Sequence, residues 1–89
     1  MSRAFIKEDA GEPERRYHLP PRSDPGYDAA AAVALLEGAN VGDSYGAELA
    51  TGYRWGEPAL KPHVERILEQ AIKETNERLE QLARRFLLS

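Results

Sequence analysis

Few residues in this 89-residue chain could carry chemistry. Asp43 and Glu48 are the acidic pair nearest an expected interhelical turn, and two carboxylates so placed can hold a magnesium ion together with ligands from a partner. The plainer alternative is a helix cap and a solvated charge, the commoner use of both residue types. Cysteine is absent, and Ser2, Ser23, Ser44 and Ser89 stand without a base in a recognisable nucleophile arrangement, so no enzyme of its own is expected. His18 and His63 fall in different segments, and neither a metal site nor a cofactor is expected from them. Gly42, Gly46, Gly52 and Gly56 are too dispersed to cradle a phosphate, and no Lys-Ser or Lys-Thr follows them. Tyr53-Arg54-Trp55 joins aromatic and basic groups that suit stacking on bases, but in a chain with one tryptophan core packing is the stronger reading.

The elements that would position these residues are helical. Residues 1–24 hold three of the six prolines, Pro13, Pro20 and Pro21, and a charged run from Lys7 to Arg16, with apolar residues too sparse to repeat at helix or strand period. They read as a flexible N-terminal tail whose anchors are Phe5 and Ile6, followed by a small helical domain over residues 25–89. Asp24-Pro25 supplies a helix start, the run from Ala29 to Glu37 is a strong helix former, and Gly38 is the expected stop. Asp43 or Ser44 can start a second short helix reaching Tyr53 or Trp55, with Tyr45, Leu49 and Tyr53 near one face.

From Pro58 or Pro62 the pattern becomes regular. Val64, Leu68, Ile72, Thr75, Leu79, Leu82 and Phe86 follow steps of 4, 4, 3, 4, 3 and 4, near the seam of a coiled coil. One long amphipathic helix toward Leu88 is expected, roughly 40 Å at about 1.5 Å per residue. Two short helices cannot cover that length, so apolar surface at Leu79, Leu82, Phe86 and Leu87 is expected to remain for a partner.

Charge and hydropathy narrow the function. The net charge of −3 opposes sequence-independent attraction to phosphates, and direct nucleic-acid binding is not expected. Residues 1–45 carry 5 basic and 8 acidic side chains, whereas residues 46–89 carry 7 of each, so the acidic excess is N-terminal. No apolar stretch approaches the about 20 residues of a membrane span, and the first residues lack the apolar core of a signal peptide, which leads to the expectation of a cytoplasmic protein.

Two stretches carry a family resemblance. Ser2-Arg3-Ala4-Phe5-Ile6-Lys7-Glu8-Asp9 with Leu19-Pro20-Pro21 resembles the N-terminal extension of some bacterial Gre-type transcript cleavage factors. Gly42-Asp43 and Tyr53-x-x-Gly56-x-x-x-Leu60 are similar to motifs of that family's coiled-coil hairpin, whose acidic tip enters the secondary channel of RNA polymerase. Gly46 stands where the family has its second acid, so only Asp43 carries over, and the resemblance implies a polymerase-associated binding protein without transcript cleavage.

The fold expected is therefore all-α: a flexible tail and two short helices packed on one long C-terminal amphipathic helix. The function expected is a non-catalytic protein-binding module, with RNA polymerase as the partner implied by resemblance. The alternative is a self-associating structural protein, a homodimer through the C-terminal helix.

Overall fold

A computed structural model describes residues 17–89, and among them every regular element is helical. Helix α1 spans Tyr27–Asn40, α2 Ser44–Thr51, α3 Lys61–Lys73 and α4 Glu77–Leu88, with a 3-10 turn at Pro58–Leu60 ahead of α3. None of these helices is long and apolar enough to cross a membrane.

The C-terminal region departs from the expected single rod. After Lys73 the chain leaves the helix through Thr75, whose φ is +57°, and re-enters at Asn76, whose side chain accepts the Leu79 N–H at 3.2 Å. Asn76 N–H donates to the Ala71 carbonyl at 2.8 Å and Thr75 N–H to the Ile72 carbonyl at 3.1 Å, the paired bonds of a Schellman ending. Helices α3 and α4 then fold back on each other. Lys61 at the start of α3 reaches the carbonyls of Leu87 and Ser89 at the end of α4, at 3.2 and 3.0 Å.

The same ending closes α1, with a different residue at its centre. Asp43 N–H donates to the Gly38 carbonyl at 2.7 Å and Gly42 N–H to Ala39 at 3.3 Å, with Gly42 at φ +76°. Gly42 is thus the left-handed residue, one turn beyond the expected stop at Gly38. Gly38 stays inside the helix because its face is where α2 lands: a Cβ there would stand 2.6 Å from the Ala47 Cβ and 2.9 Å from the Asp43 carbonyl oxygen. Helix α2 ends at Gly52, φ +80°, short of the expected Tyr53 or Trp55.

Small residues set how the layers meet. Ala31, Ala32 and Ala34 on α1 and Ala47 and Ala50 on α2 are buried, so the two backbones approach closely. Leu35, Leu36, Leu60, Val64, Leu82, Ala83 and Phe86 fill the space between α1 and the α3–α4 hairpin. Trp55 lies edge-on to Phe86 with ring centroids 5.0 Å apart. Residues 17–24 form no helix, yet Tyr17 is buried and Leu19 packs on the core, so this part of the expected tail belongs to the folded unit.

Candidate binding surfaces

Asp43 and Glu48 are both engaged in holding the fold. The Tyr17 hydroxyl donates to the Asp43 carboxylate at 2.7 Å, and that carboxylate occupies the place a Cβ on Gly46 would take. Glu48 accepts the Trp55 backbone N–H at 2.9 Å, tying the loop after α2 to its helix. The two acids act in separate contacts rather than as one ligand set. Among the described residues no group of three or more His, Cys, Asp and Glu side chains is placed to hold a metal ion.

Contrary to the expectation that no serine lies in a Gly-x-Ser-x-Gly elbow, Ser44 has that spacing in Gly42-Asp43-Ser44-Tyr45-Gly46. In a hydrolase that pattern lifts a serine on a sharp strand-to-helix turn. Here a helix, α1, precedes it, and Ser44 is the exposed first residue of α2. The backbone context of a nucleophile elbow is missing.

Thr51 organises the polar contacts beneath α2. Its buried hydroxyl donates to the Ala47 carbonyl at 2.9 Å and accepts the Tyr53 N–H at 3.1 Å, while its own carbonyl receives the Tyr27 hydroxyl at 2.8 Å. Tyr53 donates to the Asp28 carboxylate at 2.7 Å. That hydrogen bond, with burial and the Asp28 charge, raises the Tyr53 phenol above its ordinary value of 10.0. Tyr53 and Trp55 are half-buried and packed against the core, while Arg54 points to solvent.

Of the expected docking residues, Leu82 and Phe86 are inside the molecule, 2% and 0% exposed. The reason is the break at Thr75, which folds α4 onto α3 and α1 instead of extending it past them. Leu79 and Leu87 are half-buried, and Phe5 and Ile6 lie outside the described residues. Leu79 borders a groove of about 300 Å³ between α1 and the hairpin turn, with Val33, Leu36 and Ile67 as its apolar walls and Glu37 and Arg78 at its rim. Arg78 donates to the Asn40 side chain at 2.9 Å.

The exposed apolar surface that the sequence reading missed is on α2 and the turn before it. Val41, Tyr45 and Leu49 stand four residues apart and are 68%, 72% and 56% exposed. Tyr45 and Leu49 were expected near one face with Tyr53, but Tyr53 packs on the core while the other two are exposed. The inward face is instead Ala47, Ala50 and Thr51, because only small side chains fit against Gly38 and its neighbours on α1. The signal was the small-residue spacing of Gly46, Ala47, Ala50 and Thr51, which marks a close helix crossing and turns the large residues outward.

Compared with protein-family models, curated proteins and solved structures, the chain finds no match.

Proposed function

We propose that this chain is a non-catalytic, cytoplasmic protein-binding module that presents Val41, Tyr45 and Leu49 to an apolar groove on a protein partner. The observation that carries the reading is the exposure of Tyr45 and Leu49 one helical turn apart on α2, 72% and 56%, with Val41, 68% exposed, in the turn before the helix. Isolated apolar residues at a surface are ordinary, but an exposed pair at i and i+4 on one helix follows the pattern by which a helix enters a partner's groove. The opposite face of α2 is locked on α1 by Ala47, Ala50 and the Thr51 contacts, so the row is held in place before binding. Preorganisation of this kind lowers the entropic cost of association.

RNA polymerase is the first partner to test, on the strength of the resemblance in residues 2–9 and at Gly42-Asp43 and Tyr53-Arg54-Trp55-Gly56. Phe5 and Ile6 are further anchors in this proposal. Asp43 and Glu48 serve the fold in it, and transcript cleavage is not part of it.

A photo-crosslinking residue placed at Tyr45 should capture a discrete protein in cells, whereas the same residue at the exposed Glu65 of α3 should not. Tyr45→Ser with Leu49→Ser should abolish binding to the captured protein without changing the melting temperature. Equal labelling from both positions would dismiss the ridge as a docking surface.

A further inference from the structure

The turn between α3 and α4 consists of Glu74, Thr75 and Asn76, and its central residue is a β-branched threonine at φ +57°. Left-handed backbone disfavours a branched side chain, and the equivalent place at the end of α1 is filled by Gly42. The sequence on both sides of the turn keeps one apolar register, since Leu68, Ile72, Thr75, Leu79 and Leu82 follow steps of 4, 3, 4 and 3. A chain that turned permanently here would have no reason to keep that register across the break.

From these observations we infer that the hairpin opens at Thr75 and that two copies exchange their α4 helices, each forming one continuous helix from α3 through α4. The occupant of the place that α4 vacates is the α4 of a second copy. Every contact of Leu82 and Phe86 is then remade with the same residues on the other chain, so the two states differ only at the hinge and at whatever new surface the dimer covers. No hydrogen bond is lost. The two Schellman bonds of Thr75 and Asn76 and the Asn76 cap on Leu79 are replaced by ordinary i to i−4 helical bonds over the same residues.

The surface beside the hinge fits a second copy. Ile72 is 49% exposed at a seam position, and Val33, 45% exposed, lines the groove that the hinge residue Asn76 and Leu79 also border. In the exchanged dimer the two straightened helices pass each other at the hinge, where these side chains gain a partner. Short, strained hinges are the usual site of such exchange.

Because the closed form holds α4 at the effective concentration of a short tether, the exchange should become populated as protein approaches about 1 mM. Sedimentation velocity after refolding at that concentration should show a dimer that dissociates slowly on dilution. Thr75→Gly, which relaxes the hinge in place, should weaken the dimer at least about tenfold, since each dimer releases two hinges. Thr75→Ala with Asn76→Ala, which favours continuous helix, should strengthen it.

Exchange is separated from simple surface association by crosslinking. The chain has no cysteine, so Lys61→Cys and Ser89→Cys can be made singly and the two variants mixed, refolded together and treated with a short bis-maleimide. Exchange brings residue 61 of one copy beside residue 89 of the other, and a crosslinked heterodimer should form. A monomer at all concentrations overturns the inference. So does a dimer without that crosslink, or one lost on Tyr45→Ser with Leu49→Ser, which would instead belong to the α2 ridge.

Discussion

Thr75 and Gly42 make a controlled comparison inside one molecule. Both close a helix in the left-handed region, at φ +57° and +76°, with the same pair of backbone bonds, but only one of them is a glycine. Left-handed backbone costs a side chain roughly 1–2 kcal/mol, of which part is offset because glycine frees the unfolded chain by about 0.4–1 kcal/mol. Thr75→Gly should therefore stabilise the protein by a net ~0.5–1 kcal/mol in urea unfolding, and a destabilised variant would mean that the threonine is held without strain. Tyr53 gives the second residue-level prediction. Its phenol is raised in the folded state, chiefly by the bond to Asp28, so the fold favours the protonated form. That contribution is fully present below pH about 10 and is lost as the pH rises through the folded value. As the pH rises above about 10, wild type should lose stability more steeply than Tyr53→Phe, and parallel curves would show that the Asp28 contact leaves the titration untouched.

At the scale of elements, the α1–α2 crossing depends on Gly38. An added methyl would meet the Ala47 Cβ at 2.6 Å and the Asp43 carbonyl at 2.9 Å, and neither a short side chain nor a backbone turn can yield as a long side chain would. Overpacking costs typically 1–3 kcal/mol and exceeds the about 1 kcal/mol gained in helix propensity, so Gly38→Ala should melt lower than wild type. An unchanged or higher melting temperature would place the crossing farther apart than 2.6 Å implies. The same position shows what could be read in advance. A run such as Ala29 to Glu37 specifies helix by propensity, whereas a glycine beyond it reads equally as a stop or as a crossing point until the facing element is known. The period of Val64 to Phe86 likewise specifies an amphipathic helix on each side of Thr75 and is silent on the break. The hints were local: a polar threonine at a seam position, then Asn76 as a cap, with Glu77 and Glu80 in the first turn of α4. On α2, Tyr45, Leu49 and Tyr53 were expected near one face, and the packing of Ala47 and Ala50 leaves Tyr45 and Leu49 outward. The candidate site was therefore the least legible part, because exposure is set by which neighbour arrives and not by residue type.

For the whole molecule the decisive fact is that one small core serves all four helices. Leu82 and Phe86 on α4 meet Leu35 and Leu36 on α1, Leu60 in the 3-10 turn and Val64 on α3 in the same buried cluster, and the chain has no cysteine with which a disulfide could share the work. A domain of this size sits toward the lower end of the about 5–15 kcal/mol typical of native proteins. Truncating Leu82 to alanine removes buried methyl groups and leaves a cavity at the point where the helices converge, which costs about 2–5 kcal/mol. In a domain of 60–100 residues each kcal/mol moves the melting temperature by about 4–8 °C, so Leu82→Ala should melt at least ~8 °C below wild type. Tyr45→Ser with Leu49→Ser removes more apolar surface from the sequence but none from the core, and should leave the melting temperature within a few degrees. The contrast between the two variants separates the part of the apolar surface that folds the chain from the part offered outward. Equal losses from both would mean that the α2 ridge is covered within the molecule, and the docking role proposed for it would fall with that result.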